Sequence, residues 1–141
     1  VFEAVVAAMR SASDVPAIKQ RGCCLMELLC IGLDGDVAAN ATRNRAAEAG
    51  AIEAAVEAMR SCPQKELVHA WACNFLLLMT FPRHSNFPQV NTSALARTQR
   101  ILAANPVALL ESAHASFPQN RMLARDAPNL LEVLRLTAAA P

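Results

Sequence analysis

The chain has no tyrosine, one tryptophan and only four glycines, and charged residues make up 18% of it. The glycines are not clustered, so no phosphate-cradling loop is present, and no nucleophile elbow appears. The five cysteines are odd in number and form no Cys-x-x-Cys pair, which argues against a disulfide framework and a zinc ribbon. We therefore expect a protein that is not an enzyme and that has no cofactor and no metal.

Long hydrophobic runs and charge of one sign are also missing. Although 54% of the residues are hydrophobic, no run reaches the ~20 residues that a membrane helix needs, so no membrane partner is expected. The net charge is +1 and the arginines are scattered without a basic stripe, which argues against nucleic-acid binding. Unpaired cysteines are typical of a reducing compartment, so we expect the cytoplasm, with the nucleus as the alternative.

What the chain does contain is an internal repeat. Residues 1–30 align with residues 51–80 without a gap, and a third copy follows in which Asn105 stands where Gly50 stands in the second. Both residues tolerate the left-handed conformation that closes a helix. Residues 1–30 and 51–80 are 50 positions apart, and nine residues are identical between them. They are Glu3, Ala4, Val6, Ala8, Met9, Arg10, Ser11, Cys23 and Leu28, which recur as Glu53, Ala54, Val56, Ala58, Met59, Arg60, Ser61, Cys73 and Leu78.

Each copy reads as a short helix, a corner, a second helix and a longer third helix. The second helix has an apolar face that weakens in the third copy, as expected of a terminal repeat that faces water. The third helix has an apolar stripe at spacings of three and four, which predicts a core face. Its members are Ile18, Gly22, Leu25 and Leu29, then Val68, Ala72, Phe75 and Met79, then Leu123, Ala127, Leu130 and Leu134. We expect loops at 31–36 and 81–92.

The helical unit with its Glu-Ala-Gly-Ala-Ile corner resembles the armadillo repeat. The resemblance rests on Asn44 to Arg60 and Leu67 to Met79, with partial copies on either side. It implies an all-α fold, a right-handed α-solenoid of about three armadillo-like repeats. We expect a single domain over 1–141, with units at approximately 1–36, 37–92 and 93–141. Because the chain begins at Val1 within a predicted helix, we also expect it to be a piece of a longer repeat protein.

Armadillo arrays bind proteins or extended peptides along the concave groove lined by their third helices. One type does so with a Trp and Asn ladder, which this chain lacks, since the Trp slot holds Cys24, Asn74 and Asn129. The groove face opposite the core stripe is predicted from the helical wheel, with Trp71 at its edge as either inter-repeat core or a partner anchor. The candidate groove residues are Gln20, Cys24, Glu27, Trp71, Asn74, Leu77, Arg125, Asn129 and Glu132.

Two side chains of this face suggest how a partner is held. Asn74 and Asn129 carry amides that can hydrogen-bond the backbone of an extended peptide. Leu77 is predicted to be an exposed apolar anchor with a polar rim, although it could equally pack under the 81–92 loop. The favoured function is therefore a non-catalytic interaction module for a protein or an extended peptide. The alternative is a structural spacer in a larger repeat protein whose activity lies elsewhere.

Overall fold

The computed structural model describes residues 1–12, 14–32, 37–82 and 85–140. All regular structure in these ranges is helical, as the sequence predicts, and the described ranges contain no strand. The helices are α1 (Phe2–Ser11), α2 (Pro16–Cys30), α3 (Val37–Glu48), α4 (Ala51–Ser61), α5 (Glu66–Met79), α6 (Pro88–Ala103), α7 (Val107–Ser116) and α8 (Arg121–Ala139).

The corners between helices follow from backbone chemistry. Gly50, between α3 and α4, has φ 88°, and Asn105, between α6 and α7, has φ 57°. The predicted equivalence of these two residues is thus confirmed, since both adopt the left-handed conformation that suits Gly and Asn. The predicted loop at 81–92 is too long, because α6 already begins at Pro88, where a missing N–H costs nothing. The predicted unit boundary after residue 92 consequently falls inside α6.

The helices pack in a regular order. α5 packs most extensively against two other long helices, α2 and α8. Each of these three helices also packs against the helix that precedes it in the chain. Further contacts join α1 to α4 and α3 to α6. Several helices at equivalent places in the sequence therefore contact one another, namely α2 and α5, α5 and α8, α1 and α4, and α3 and α6. One buried cluster includes residues of all eight helices.

The predicted stripes are buried in two of the three long helices. In α5 and α8 every member of the stripe is at most 1% exposed. In α2 the prediction is wrong for Ile18, Leu25 and Leu29, which are 38%, 43% and 38% exposed, and only Gly22 is buried. The buried side of α2 lies one residue further along, at Cys23, Met26 and Cys30 among others. The physical reason is that, among the described helices, α5 packs against two long helices, α2 and α8, whereas α2 packs against one, α5.

Two buried arginines hold the ends of the long helices, and no sequence pattern indicated them. The Arg43 Nε of α3 donates to the last carbonyl of α2, Cys30 O, at 3.1 Å. The Arg97 Nε of α6 donates to the last carbonyl of α5, Met79 O, at 2.9 Å. A cation at a helix C-terminus satisfies orphan carbonyls and interacts favourably with the helix dipole. These contacts fix the C-terminal ends of α2 and α5 relative to the helix that follows each.

Candidate functional site

A cleft of about 310 Å³ lies where α2, α5 and α8 come together. Its walls come from the three long helices, and Phe81, which follows α5, also lines it. The residues that line it are Glu27, Asn74, Leu77, Leu78, Phe81, Arg125, Asp126 and Asn129. The cleft therefore lies between α2, α5 and α8, the three helices that carry the candidate groove residues.

Many of the candidate residues meet in this cleft. The structure brings together Glu27, Asn74, Leu77, Arg125 and Asn129, which are separated by up to about a hundred residues in the chain. Leu77 is only 7% exposed, so the prediction of an exposed apolar anchor is wrong. It packs into the core cluster, beside Leu78 and Phe81, and forms part of the cleft floor.

The other candidates lie outside the cleft. Cys24 and Gln20 are half-buried on α2 and Trp71 is half-buried against the core cluster, which favours the core interpretation of the tryptophan. Glu132 lines a separate depression with Leu102 and other residues, and its carboxylate accepts from Arg135 Nη2 at 2.7 Å. Five of the nine candidate groove residues thus lie together in the cleft, and Glu132 belongs to a different surface.

Asp126 is the residue that sequence reasoning missed. Its carboxylate is 3% exposed and accepts from Asn74 Nδ2 at 2.9 Å and from Arg125 Nε at 2.7 Å. Buried carboxylates are found where such donors satisfy them. Since Asn74 lies on α5 and Asp126 on α8, this network joins the two walls of the cleft. An aspartate inside a helix was the one available signal, and its partner on another helix could not be identified from the sequence.

Because of these hydrogen bonds, the cleft contains acceptors with a fixed orientation. The Asn74 amide nitrogen is engaged by Asp126, and the Asn129 amide nitrogen donates to Arg125 O at 2.9 Å. In the described part of the chain neither amide oxygen accepts a hydrogen bond from another residue, so each can accept from a ligand N–H. Arg125 itself is 65% exposed and has donors that reach solvent.

Glu27 supplies the second carboxylate. Partial burial raises the pKa of this carboxyl above its ordinary value, and the negative charge of Asp126 raises it further. The two acids are therefore close enough to repel, while Arg125 neutralises Asp126. A cation or an N–H donor placed beside Glu27 would relieve both the desolvation and the repulsion.

The cysteines and the buried histidine near these helices are engaged in packing. Burial raises the pKa of the Cys73 thiol to about 12, so this group is not a thiolate at neutral pH. The His69 Nε2 donates to Cys62 O at 3.0 Å, and the ring lies 5.8 Å from that of Phe117. His69 and Cys73 are four residues apart on α5, yet the described ranges contain no cluster of three or more metal-ligating acids, histidines or cysteines.

The chain matches no known family model, no curated protein and no solved structure. No described helix is long and apolar enough to span a membrane.

Proposed function

We propose that this chain is a non-catalytic interaction module that holds an extended segment of a protein or peptide in the cleft of α2, α5 and α8. The observation that carries the proposal is the pair of amide oxygens of Asn74 and Asn129, left free to accept inside a cleft with an apolar floor. An extended peptide offers backbone N–H groups at regular intervals, which suits fixed acceptors better than a compact ligand does.

The proposed architecture is a right-handed α-solenoid of about three armadillo-like repeats. Support comes from the contacts between helices at equivalent sequence positions and from the left-handed corners at Gly50 and Asn105. In such an array each unit contacts only its neighbours, and the stacked third helices form a continuous surface. The free cysteines of the described chain favour a reducing compartment, the cytoplasm or the nucleus.

The charges in the cleft indicate which peptides should bind best. Glu27 and Asp126 carry two acidic groups, and within the described residues only Asp126 is paired with a cation. We therefore expect peptides with a basic or N–H-rich side chain that faces Glu27 to bind best. Leu77, Leu78 and Phe81 would contact an apolar side chain of the same peptide.

The test is the selection of random dodecapeptides displayed on phage against the immobilised protein. Peptides that are enriched would be synthesised with a fluorophore, and their Kd measured by fluorescence polarisation. Asn129→Ala and Glu27→Gln change exposed or half-buried side chains of the cleft, so both variants should fold. We expect each to weaken binding about 5- to 50-fold, as for the loss of one hydrogen bond to a neutral or charged group.

The matched controls are Gln99→Ala and Glu111→Gln, which remove an amide and a carboxylate that are exposed on α6 and α7. Both should bind like the wild type. If peptides are enriched but all four variants bind them equally well, the cleft is not the binding site. If no peptide is enriched, the structural spacer becomes the better proposal.

A further inference from the structure

One side of α2 is apolar and uncovered. Ile18, Leu25 and Leu29 are 38%, 43% and 38% exposed and lie on one side of the helix at spacings of seven and four. Leu28 is 57% exposed beside them, and Val15 and Ile31 at the two ends of the helix are 44% and 56% exposed. Scattered exposed apolar side chains are normal, but a contiguous row along a whole helix marks an interaction surface.

The internal repeat shows what covers this side elsewhere in the chain. At the offset of 50, Ile18, Leu25 and Leu29 correspond to residues 68, 75 and 79 of α5. Those three positions, Val68, Phe75 and Met79, are 1%, 0% and 0% exposed.

The two helices differ in their neighbours. In the part of the chain that the structure describes, α5 packs against two long helices, α2 and α8, whereas α2 packs against one, α5. The stripe is covered again in α8, which packs on α5 as α5 packs on α2. The uncovered stripe of α2 is therefore where a helix equivalent to α2 itself would lie.

The opposite end of the array has a different character. Half of the exposed residues of α8 are polar or charged, and the others, such as Leu136, are apolar. The polar or charged ones are Arg121, Arg125, Asn129, Glu132 and Arg135. Charged side chains on an outer face are typical of a terminal, capping repeat. A second copy that stacked its α8 end on α2 would thus bring charged side chains against an apolar stripe, which is unfavourable because those charges would lose water.

We infer that the apolar stripe of α2 is a docking surface for one further helical unit of the same kind as residues 1–50, packed on α2 as α2 packs on α5. This inference does not depend on the cleft, since Ile18, Leu25 and Leu29 do not line it. The unit would extend the row α2, α5, α8 by one helix and bury the stripe.

The repeat permits a direct test in which residues 1–50 are duplicated ahead of the complete chain. Gly50 of the added copy then precedes Val1 as Gly50 precedes Ala51 in the native sequence, so the two copies are in register. Amide hydrogen exchange would be measured for the α2 that follows the added unit, in this tandem chain and in the 141-residue chain. We expect protection of these amides to rise at least about tenfold, because the helix becomes internal to the array.

Leu25→Glu in that α2 should remove the added protection, yet it should change the 141-residue chain little, where Leu25 is 43% exposed. Leu136→Glu is the matched control, because Leu136 is 55% exposed on α8, and it should leave the added protection intact. Unchanged exchange in the tandem chain, or a gain that survives Leu25→Glu, would overturn the inference.

Two further measurements keep the inference testable in every case. If the 141-residue chain is a dimer in sedimentation equilibrium and Leu25→Glu makes it monomeric, a second copy occupies the stripe and the inference is wrong. If the tandem chain is insoluble, a peptide of residues 1–50 is added to the isotopically labelled 141-residue chain. Shifts of amide signals in α2 and in the adjoining α1 support the inference, and an unchanged spectrum or shifts centred on α8 contradict it.

Discussion

Replacing Arg97 should destabilise the protein more than any other arginine substitution in α6. The side chain is 2% exposed and joins three parts of the fold. Its guanidinium donates to Met79 O at 2.9 Å, to Phe81 O at 2.6 Å, and to Asn40 Oδ1 and Asn44 Oδ1 at 2.9 and 2.6 Å. All of these acceptors are neutral. α6, α3 and the C-terminal end of α5 are thus held by one cation.

The size of the effect follows from two opposing terms. Burial and the nearby charge of Arg43 lower the pKa of Arg97 to about 10, so the cation is desolvated and repelled, yet it stays protonated at neutral pH. Hydrogen bonds to a charged group contribute roughly 1.5–3 kcal/mol each. Leaving a buried neutral acceptor without its donor costs about 1–3 kcal/mol. For Arg97→Met, which roughly keeps the volume, we expect a loss of about 3 kcal/mol.

The assay is urea unfolding followed by circular dichroism, with thermal unfolding in parallel. For a chain of this size the loss corresponds to a decrease of about 10 °C in Tm. Arg100→Met is the matched control on the same helix. Arg100 is 42% exposed and pairs with Glu53 at 2.6 Å, so its replacement should cost at most about 1 kcal/mol. Equal losses for the two variants would show that desolvation of Arg97 cancels its hydrogen bonds, and would refute the reasoning.

Two further predictions concern single residues. Burial lowers the pKa of His69 below its ordinary value, so the unfolded chain binds a proton more readily than the folded chain does. The free energy of unfolding should therefore fall as the pH decreases below about 6.5, and His69→Gln should remove this dependence while His114→Gln, an exposed control, should keep it. At the corner between α6 and α7, Asn105→Ala should cost about 1 kcal/mol in urea unfolding, because φ is 57°, whereas Asn105→Gly should be nearly neutral. Equal losses for Ala and Gly would mean that the Asn side chain, and not the backbone conformation, matters there.

The sequence was informative where a residue's own chemistry decides the structure. Gly50 and Asn105 take the same left-handed conformation because few other residues tolerate it, so their roles could be inferred without any tertiary contact. The stripe of α2 has the same helical period as that of α5, and the period alone could not tell that Leu25 would be exposed. Burial depends on whether a neighbouring helix is present, and that information is not in the helix itself.

The polar contacts of the cleft could not be predicted from the sequence, for a related reason. Asn74 and Asp126 are 52 residues apart in sequence, and Arg97 and Asn40 are 57 apart. Nothing local to Asp126 indicates that its carboxylate faces an amide on another helix. The error for Leu77 has the same origin, because α5 is enclosed by neighbours on more sides than a helical wheel of one helix suggests.

The missed carboxylate changes how the cleft would bind. Asp126 fixes the Asn74 amide nitrogen and Arg125, and the Asn129 amide is fixed by its own helix, so these groups already have one orientation before a ligand arrives. Immobilising a side chain on binding costs about 0.5–1.5 kcal/mol, and a preorganised group avoids much of that cost. The proposed acceptors are thus supported by residues that need not touch the peptide. The strength of binding should accordingly depend on Asp126 as well as on Asn74, although only the asparagine could be identified from the sequence.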